Sequence, residues 1–355
     1  MTFHVFRGAG PLVPNGILNP LPSLRAALTD EAGYIAPAGL RDAVNVALAL
    51  GMPLLLTGEP GTGKTQLAYR LAAELGLGKP LRFDTKSSSV ANELFYQFDN
   101  VAHFADAQVA ALSKSAARPA QDFVRYRALG SAILRSNPWF EIQHLVSPMQ
   151  RDEIEPYCGK PSVVLIDEVD KAPRDFPNDL LNQIEDMSFA VPELGNEYPR
   201  FLDKSGKRPI RADGIGADKN NRPVVVITSN SEKQLPEAFL RRCVYHHIEF
   251  PKTAEQRHEL VEAILAARLS GLGRKHGAGY AAALAVYFAM RDDGAVEKKP
   301  STSELLDWMS VLQAVGIDWD LPLVDQADKV RPCTHTLAKT EADKTLLRVQ
   351  LNLPD

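Results

Sequence analysis

"LLLTGEPGTGKTQLAYRL", residues 54–71, reads as an apolar strand, a glycine-rich turn and a helix that opens on lysine and threonine. Gly58-Glu59-Pro60-Gly61-Thr62-Gly63-Lys64-Thr65 matches the pattern G-x-x-x-x-G-K-[ST] at every fixed position. Glycines let a backbone take positive φ and come close to phosphates. The freed N–H groups form an anion nest, which the following helix N-terminus continues. Lys64 has the reach for β- and γ-phosphates, and Thr65 offers a hydroxyl to Mg²⁺. The strand before the turn and the helix after it are the context that separates this motif from a chance match. Leu67, Leu71, Ala72 and Leu75 form the expected buried face of that helix, with Gly76 at its end.

A phosphate grip alone does not imply hydrolysis. "SVVLIDEVDKAP" (162–173) addresses that step, because its β-branched run suits a parallel strand buried on both faces. Asp167 would emerge at the C-terminal end of this strand, where ligands of open α/β sheets bind, and would hold the Mg²⁺ shell. Glu168 follows as the general base that polarises a water. Asp170 is read as a helix cap or a solvated acid rather than a metal ligand. "RPVVVITSN" (222–230) repeats the logic of a buried strand with a polar end. Its Asn230 is placed to hydrogen-bond the attacking water or a γ-phosphate, with Thr228 and Ser229 as weaker candidates. In "LPEAFLRRC" (235–243), Arg241 and Arg242 end a short helix. They are candidates for an arginine finger, and the alternative is simple compensation of the helix C-terminus.

Outward from these motifs, strands alternate with helices. "PLLLT" (53–57), "LRFDT" (81–85), "SVVLI" (162–166), "VVVIT" (224–228) and "HHIEF" (246–250) read as strands, which implies an α/β fold with a parallel sheet. A helix is expected over 37–50, ended by Gly51, and a helical pattern recurs around Leu24–Leu28. "DAQVAALSKSA" and "DFVRYRALGSAILRS", within 86–157, read as helical pieces. A helix after the acid strand would bury Leu180, Leu181, Ile184 and Met187. The Gly-, Pro- and Lys-rich stretch 189–222 is read as an inserted hairpin or loop. After Pro251 the pattern is helical over 254–271, 277–291 and 301–314, and residues 340–352 suit either a helix or a strand. This organisation divides the chain into an extension (1–33), a nucleotide-binding core (34–252, with insertions at about 86–157 and 189–222) and a helical region with a tail (253–355).

The 355 residues carry a formal net charge of −4, so no global basic field points to nucleic acid, although "KSGKRPIR" (204–211) is a local basic patch. Cys158, Cys243 and Cys333 have no paired metal spacing and are expected as reduced thiols. The start "MTFHVFRGAGPLVPNG" lacks the basic-then-apolar run of a secretory leader, and the most apolar window, 44–56, is interrupted by Asn45, Gly51 and Pro53. A cytoplasmic protein without a membrane span is expected.

Taken in order, "GEPGTGKT", "VVLIDEVDKAP", "VVVITSN" and "LPEAFLRRC", followed by helices, resemble an AAA+ ATPase, and more narrowly its MoxR branch. The likeness covers residues 34 to about 315. It implies a P-loop fold with a five-stranded parallel sheet and a helical lid. It also implies a ring, usually hexameric, with ATP and Mg²⁺ held between subunits. The phosphate loop falls on Gly58–Thr65, the metal acid on Asp167, the base on Glu168 and the sensor asparagine on Asn230. The family's finger motif falls on Arg241-Arg242-Cys243, which favours Arg242. Tyr34 and Ile35 lie in the strip that meets the adenine. One motif departs: "KKPSTSELLDW" (298–308) puts Ser303 where related rings carry a lid arginine. Either Lys298 or Lys299 reaches the γ-phosphate instead, or sensing by the lid is weak.

The expected function is Mg²⁺-dependent ATP hydrolysis in a homo-oligomeric ring that remodels a protein client. A separate adaptor, such as one carrying a von Willebrand factor A domain, is expected from the branch. An AAA+ motor or switch on nucleic acid, as in restriction or defence systems, is the alternative. No Asn-Lys-x-Asp guanine-reading motif is present, and the balanced charge weighs against it. A small-molecule kinase is disfavoured by the paired Asp167 and Glu168.

Overall fold

The structure is a computed structural model that describes residues 24, 31–195, 210–230, 235–269 and 277–353, without the side chains of Leu181 and Asn182. Apart from Leu24, the helical pattern expected around Leu24–Leu28 lies outside the described residues, as does most of the basic patch 204–211. The chain forms two compact units: Ala36–Gly58 with Lys64–Ile248, and Glu249–Asp355 with Glu59–Gly63 and the residues up to Ile35.

The first unit is built on five parallel strands: β1 (Leu54–Gly58), β2 (Leu81–Asp84), β3 (Val163–Asp167), β4 (Val224–Thr228) and β5 (Val244–Ile248). They lie in the order β2-β3-β4-β1-β5. Every residue of β1 and β3 is buried, as expected for strands covered on both faces. Helix α1 (Ala38–Leu50) buries Leu40 and Ala47 and stops at Gly51, whose φ of 64° frees its N–H to cap the last turn. Helix α2 (Lys64–Glu74) follows β1 directly and buries Leu67, Leu71 and Ala72. Leu75, expected on that face, is 42% exposed, because the helix ends at Glu74 and the chain turns away before it.

The segment 86–157 is not a simple appendage. Strand residues Tyr96–Phe98 pair antiparallel with Val124–Tyr126. Between them runs helix α3 (Asn100–Ser113), and after them comes helix α4 (Ala128–Ser136). "DFVRYRALGSAILRS" is thus part strand and part helix, because its Val124 and Tyr126 alternate into the core. Leu129, Ala132, Ile133 and Leu134 of α4 are wholly buried and join the same core as Val164 and Ile166 of β3. After β3, the chain forms two short helical pieces, Phe176–Asp179 and Leu181–Asp186, that bury Leu180 and Ile184. In 189–222, a two-stranded ribbon pairs Ser188–Phe189 with Ile215–Gly216.

The second unit is helical: α5 (Ala254–Arg268), α6 (Ala278–Asp292), α7 (Thr302–Ala314) and α8 (Glu341–Gln350). Residues 340–352 therefore settle on helix rather than strand. Trp308, Tyr287, Leu305, Met309, Leu312 and Leu347 pack its core. Buried Asp343 of α8 accepts the backbone N–H of Glu297 at 2.9 Å and of Lys298 at 3.3 Å, which pins the loop between α6 and α7. Among the described residues, no helix is long and apolar enough to cross a membrane. All three cysteines are free thiols. Burial pushes Cys158 and Cys333 up to about 11 and Cys243 up to about 12, so none is an activated nucleophile.

Candidate active site

β1, β3 and β4 are sheet neighbours, so the polar residues at their C-terminal ends meet. Leu56 is in register with Thr228, and Asp84 with Asp167. Asp167 is the hub of this row. Thr65 of α2 donates its hydroxyl to both carboxylate oxygens, at 3.0 and 3.2 Å. Thr228 donates to Oδ1 at 2.6 Å, and Arg82 to Oδ2 at 3.0 Å. The metal-binding hydroxyl and the metal acid of the sequence reading, 102 positions apart, are thus in direct contact.

The phosphate loop has the backbone its glycines were expected to supply. Gly58, Gly61 and Gly63 have φ of 143°, 77° and 87°. A Cβ on Gly58 would lie 2.7 Å from the carbonyl oxygen of Ile248, so glycine is needed there for space as well as for φ. Lys64, 7% exposed, bends back over the loop and donates to the carbonyl of Gly58 at 2.7 Å. Thr62 closes the turn by donating to the carbonyl of Glu59 at 2.8 Å. Positive-φ glycines, a buried lysine and the N-terminus of α2 form a cradle that fits a polyphosphate. Among the described residues no group of three or more His, Cys, Asp or Glu could hold a metal alone. The donor set fits Mg²⁺, which is commonly held by one or two protein groups together with substrate phosphates. Thr65 and Asp167 would hold it, and it would supply charge neutralisation at the phosphates.

The loop tip belongs by its contacts to the helical unit. There Arg291, 8% exposed, donates to the carboxylate of Glu59 at 2.7 Å and to the carbonyl of Pro300 at 2.7 Å, with its guanidinium 4.0 Å from the Phe250 ring centre. A Cβ on Gly61 would meet the hydroxyls of Ser301 and Ser303 at 2.5 and 2.7 Å. Ser301 caps α7 in a reciprocal capping box with Glu304. Tyr34 stands against Gly63, its ring carbon Cε2 3.1 Å from where a Cβ would be. Ile35 is half-buried nearby in sequence. The sequence reading had singled out Lys298 and Lys299 as replacements for the absent lid arginine. Among the described residues, Arg291 from the end of α6 is a cation that contacts the loop tip, through Glu59.

Glu168 is one of four non-glycine residues at positive φ among those described (φ 56°). Such a backbone costs about 1–3 kcal/mol and persists only where neighbours enforce it. Here its N–H donates to Thr228 Oγ1 at 2.8 Å, and its carboxylate, half-exposed, takes the Lys171 ammonium. Asp170, expected as a cap or a solvated acid, instead accepts the backbone N–H of Asn230 at 3.0 Å. This joins the acid loop to the end of β4. Thr228, ranked below Asn230 from sequence, is the wholly buried residue that touches Asp167. Arg241 pairs with Glu237 on its own helical turn, and Arg242 donates to Glu185 at 2.7 Å.

Sequence reasoning passed over Arg82 and Arg291, and gave Asp170 no part in the site. Arg82 and Asp84 carried a signal: two charges at alternate positions of a strand, flanked by Leu81 and Phe83. Arg291 carried none, since an arginine at a helix end is ordinary.

The family description "AAA domain (dynein-related subfamily)" matches residues 53–243, from the residue before β1 to the residue before β5. The chain belongs to this AAA family. It is therefore an ATPase, and its five-stranded parallel sheet has the strand order typical of the AAA+ core. The match is to the dynein-related subfamily, and the finer MoxR assignment is not part of it. No curated protein matches the chain significantly. Among solved structures, the P216G mutant of RuvB from Thermotoga maritima overlaps it loosely, at 15% identity and a TM-score of 0.38, covering 89% of this chain and 69% of that one.

Proposed function

We propose that this AAA ATPase hydrolyses ATP with Mg²⁺ in an oligomeric ring and uses the cycle to remodel, activate or assemble a partner protein, in the manner of the MoxR branch. The observation that carries the hydrolytic part is the convergence on Asp167 of Thr65 from the phosphate loop and Thr228 from the neighbouring strand, at 2.6–3.2 Å. Lys64 and the loop N–H groups hold the β- and γ-phosphates. Thr65 and Asp167 would hold the metal, which would supply charge neutralisation at those phosphates. Glu168 takes a proton from water as its oxygen attacks the γ-phosphorus and the bond to the β–γ bridging oxygen breaks, releasing ADP and phosphate, and Asn230 orients that water. Tyr34 and Ile35 meet the base.

Arg241 is 76% exposed and Arg242 39%, and both are engaged with acids of their own unit. In a ring, one of them would turn to a neighbour's γ-phosphate. A client or an adaptor with a von Willebrand factor A domain follows from the branch likeness alone. The test is Glu168→Gln, which should bind ATP, stop turnover and, by light scattering, hold the assembled form. Wild-type turnover in that variant removes Glu168 as the base. ATPase stimulation by DNA with a steep salt dependence would replace the protein client with nucleic acid.

A further inference from the structure

Arg82 sits on β2, at one edge of the sheet and outside every motif named above. Its register with β3 places Asp84 beside Asp167 and Arg82 beside Leu165. Residues two apart on a strand share a face, so the guanidinium lies along the same row as both carboxylates. Nε donates to Asp84 Oδ1 at 2.7 Å. Nη2 lies 2.6 Å from the same Asp84 oxygen and 3.0 Å from Asp167 Oδ2. Tyr69, on the helix that follows the phosphate loop, hydrogen-bonds the same guanidinium. One nitrogen therefore bridges two acids from adjacent strands, one of which, Asp167, has a side chain only 7% exposed.

Two carboxylates this close, with no cation between them, repel each other and attract a divalent ion. Thr65 and Thr228 donate hydrogen bonds to Asp167 but bring no charge. Arg82 supplies the charge, and an arginine cannot lose it by deprotonation in the ordinary pH range. Its planar fork also fixes the direction in which Oδ2 points.

We propose that Arg82 is a positioning residue that keeps the Asp84–Asp167 pair neutralised and oriented, so that Mg²⁺ is captured together with the nucleotide's phosphates and not before them. The proposal rests on the reading of Asp167 as the metal acid. In the nucleotide-free chain, a free divalent ion would have to compete with a fixed guanidinium. When ATP arrives, its phosphates add enough negative charge for metal and guanidinium to share Asp167.

The experiment measures Mn²⁺ binding to the full chain without nucleotide, by the loss of the free-ion electron paramagnetic resonance signal. Arg82→Gln keeps the side chain's length and removes its charge. It should bind Mn²⁺ roughly two- to fivefold more tightly than the wild type, because Arg82 and Asp84 are 42% and 64% exposed and solvent screens part of the charge contact. Arg82→Lys should lie between the two, and Arg82→Gln with Asp84→Asn should return to the wild-type value. Far-UV circular dichroism establishes that each variant is folded; should Arg82→Gln not fold, the Arg82→Lys shift decides. Wild-type Mn²⁺ affinity in folded Arg82→Gln overturns the proposal. Asp167→Asn separates the underlying reading. If that variant still takes up Mn²⁺ with ATP as the wild type does, Asp167 is not the metal acid. If it loses this uptake while Arg82→Gln is unchanged, the role of Arg82 alone fails.

Discussion

Asp170 Oδ1 accepts the backbone N–H of Asn230 at 3.0 Å, so the loop after β3 and the end of β4 are fastened to each other 60 residues apart. The bond fixes the backbone of Asn230 rather than its amide, leaving the side chain exposed and available. On the proposal that Asn230 orients the attacking water, a fixed backbone helps, because a misplacement of about 1 Å can reduce rate 10²-fold.

Asp170→Ala should therefore lower kcat by about 10–100-fold, the range seen when an outer partner of a site residue is removed. ATP affinity should stay within about twofold, since no phosphate contact is lost. Steady-state turnover with a fluorescent ATP analogue as the binding probe checks both. A rise in KM with kcat unchanged would move Asp170 from orientation to binding.

Thr228→Val keeps the shape of a wholly buried side chain but removes the hydroxyl that donates to Asp167 and accepts from the Glu168 N–H. The N–H is then left unsatisfied, at a cost of about 1–3 kcal/mol. Denaturant unfolding should show that loss, together with a fall in turnover. Unchanged stability would mean that water replaces the hydroxyl.

Gly61 and Gly76 both have positive φ, at 77° and 68°, but only Gly61 has close neighbours. Gly76→Ala should cost about 1–2 kcal/mol from backbone conformation alone. Gly61→Ala adds a clash with the Ser301 hydroxyl that caps α7, and loss of such a cap costs about 1 kcal/mol more. The difference between the two thermal melts isolates the contact. Equal shifts would show that Ser301 moves aside freely.

Arg291→Ala leaves the Pro300 carbonyl without its donor and should destabilise the helical unit by about 1–3 kcal/mol. Glu59→Ala removes a partner that is 57% exposed and should change stability by no more than about 1 kcal/mol. Differential scanning calorimetry checks the ranking. A larger effect from Glu59 would place the stabilising role in the ion pair rather than in the bond to Pro300.

Much of this protein was readable without coordinates, and the reasons are local. "PLLLT", "SVVLI" and "VVVIT" are short continuous apolar runs, and their length, flanking turn residues and, in the last two, β-branched content favour buried strands over helix. The phosphate-loop motif joins a strand to a helix within 18 residues, so its geometry follows from neighbours in the chain. The same holds for the helices after Pro251. Where periodicities compete, the reading failed: residues 122–136 hold a three-residue strand and a nine-residue helix, and a strand that short carries no signal of its own.

By itself, then, the sequence determined the α/β class, the phosphate grip, the acid pair after β3 and hence the ATPase. Tertiary structure alone decided what surrounds the acid. Arg82, Thr228 and Asp170 reach Asp167 or Asn230 only because β2, β3 and β4 lie side by side, in an order that is not their order in the chain relative to β1. Arg291 reaches Glu59 across 232 positions for the same kind of reason. Contacts between strands or helices distant in sequence depend on register and packing of the whole chain, and no short window of residues encodes them.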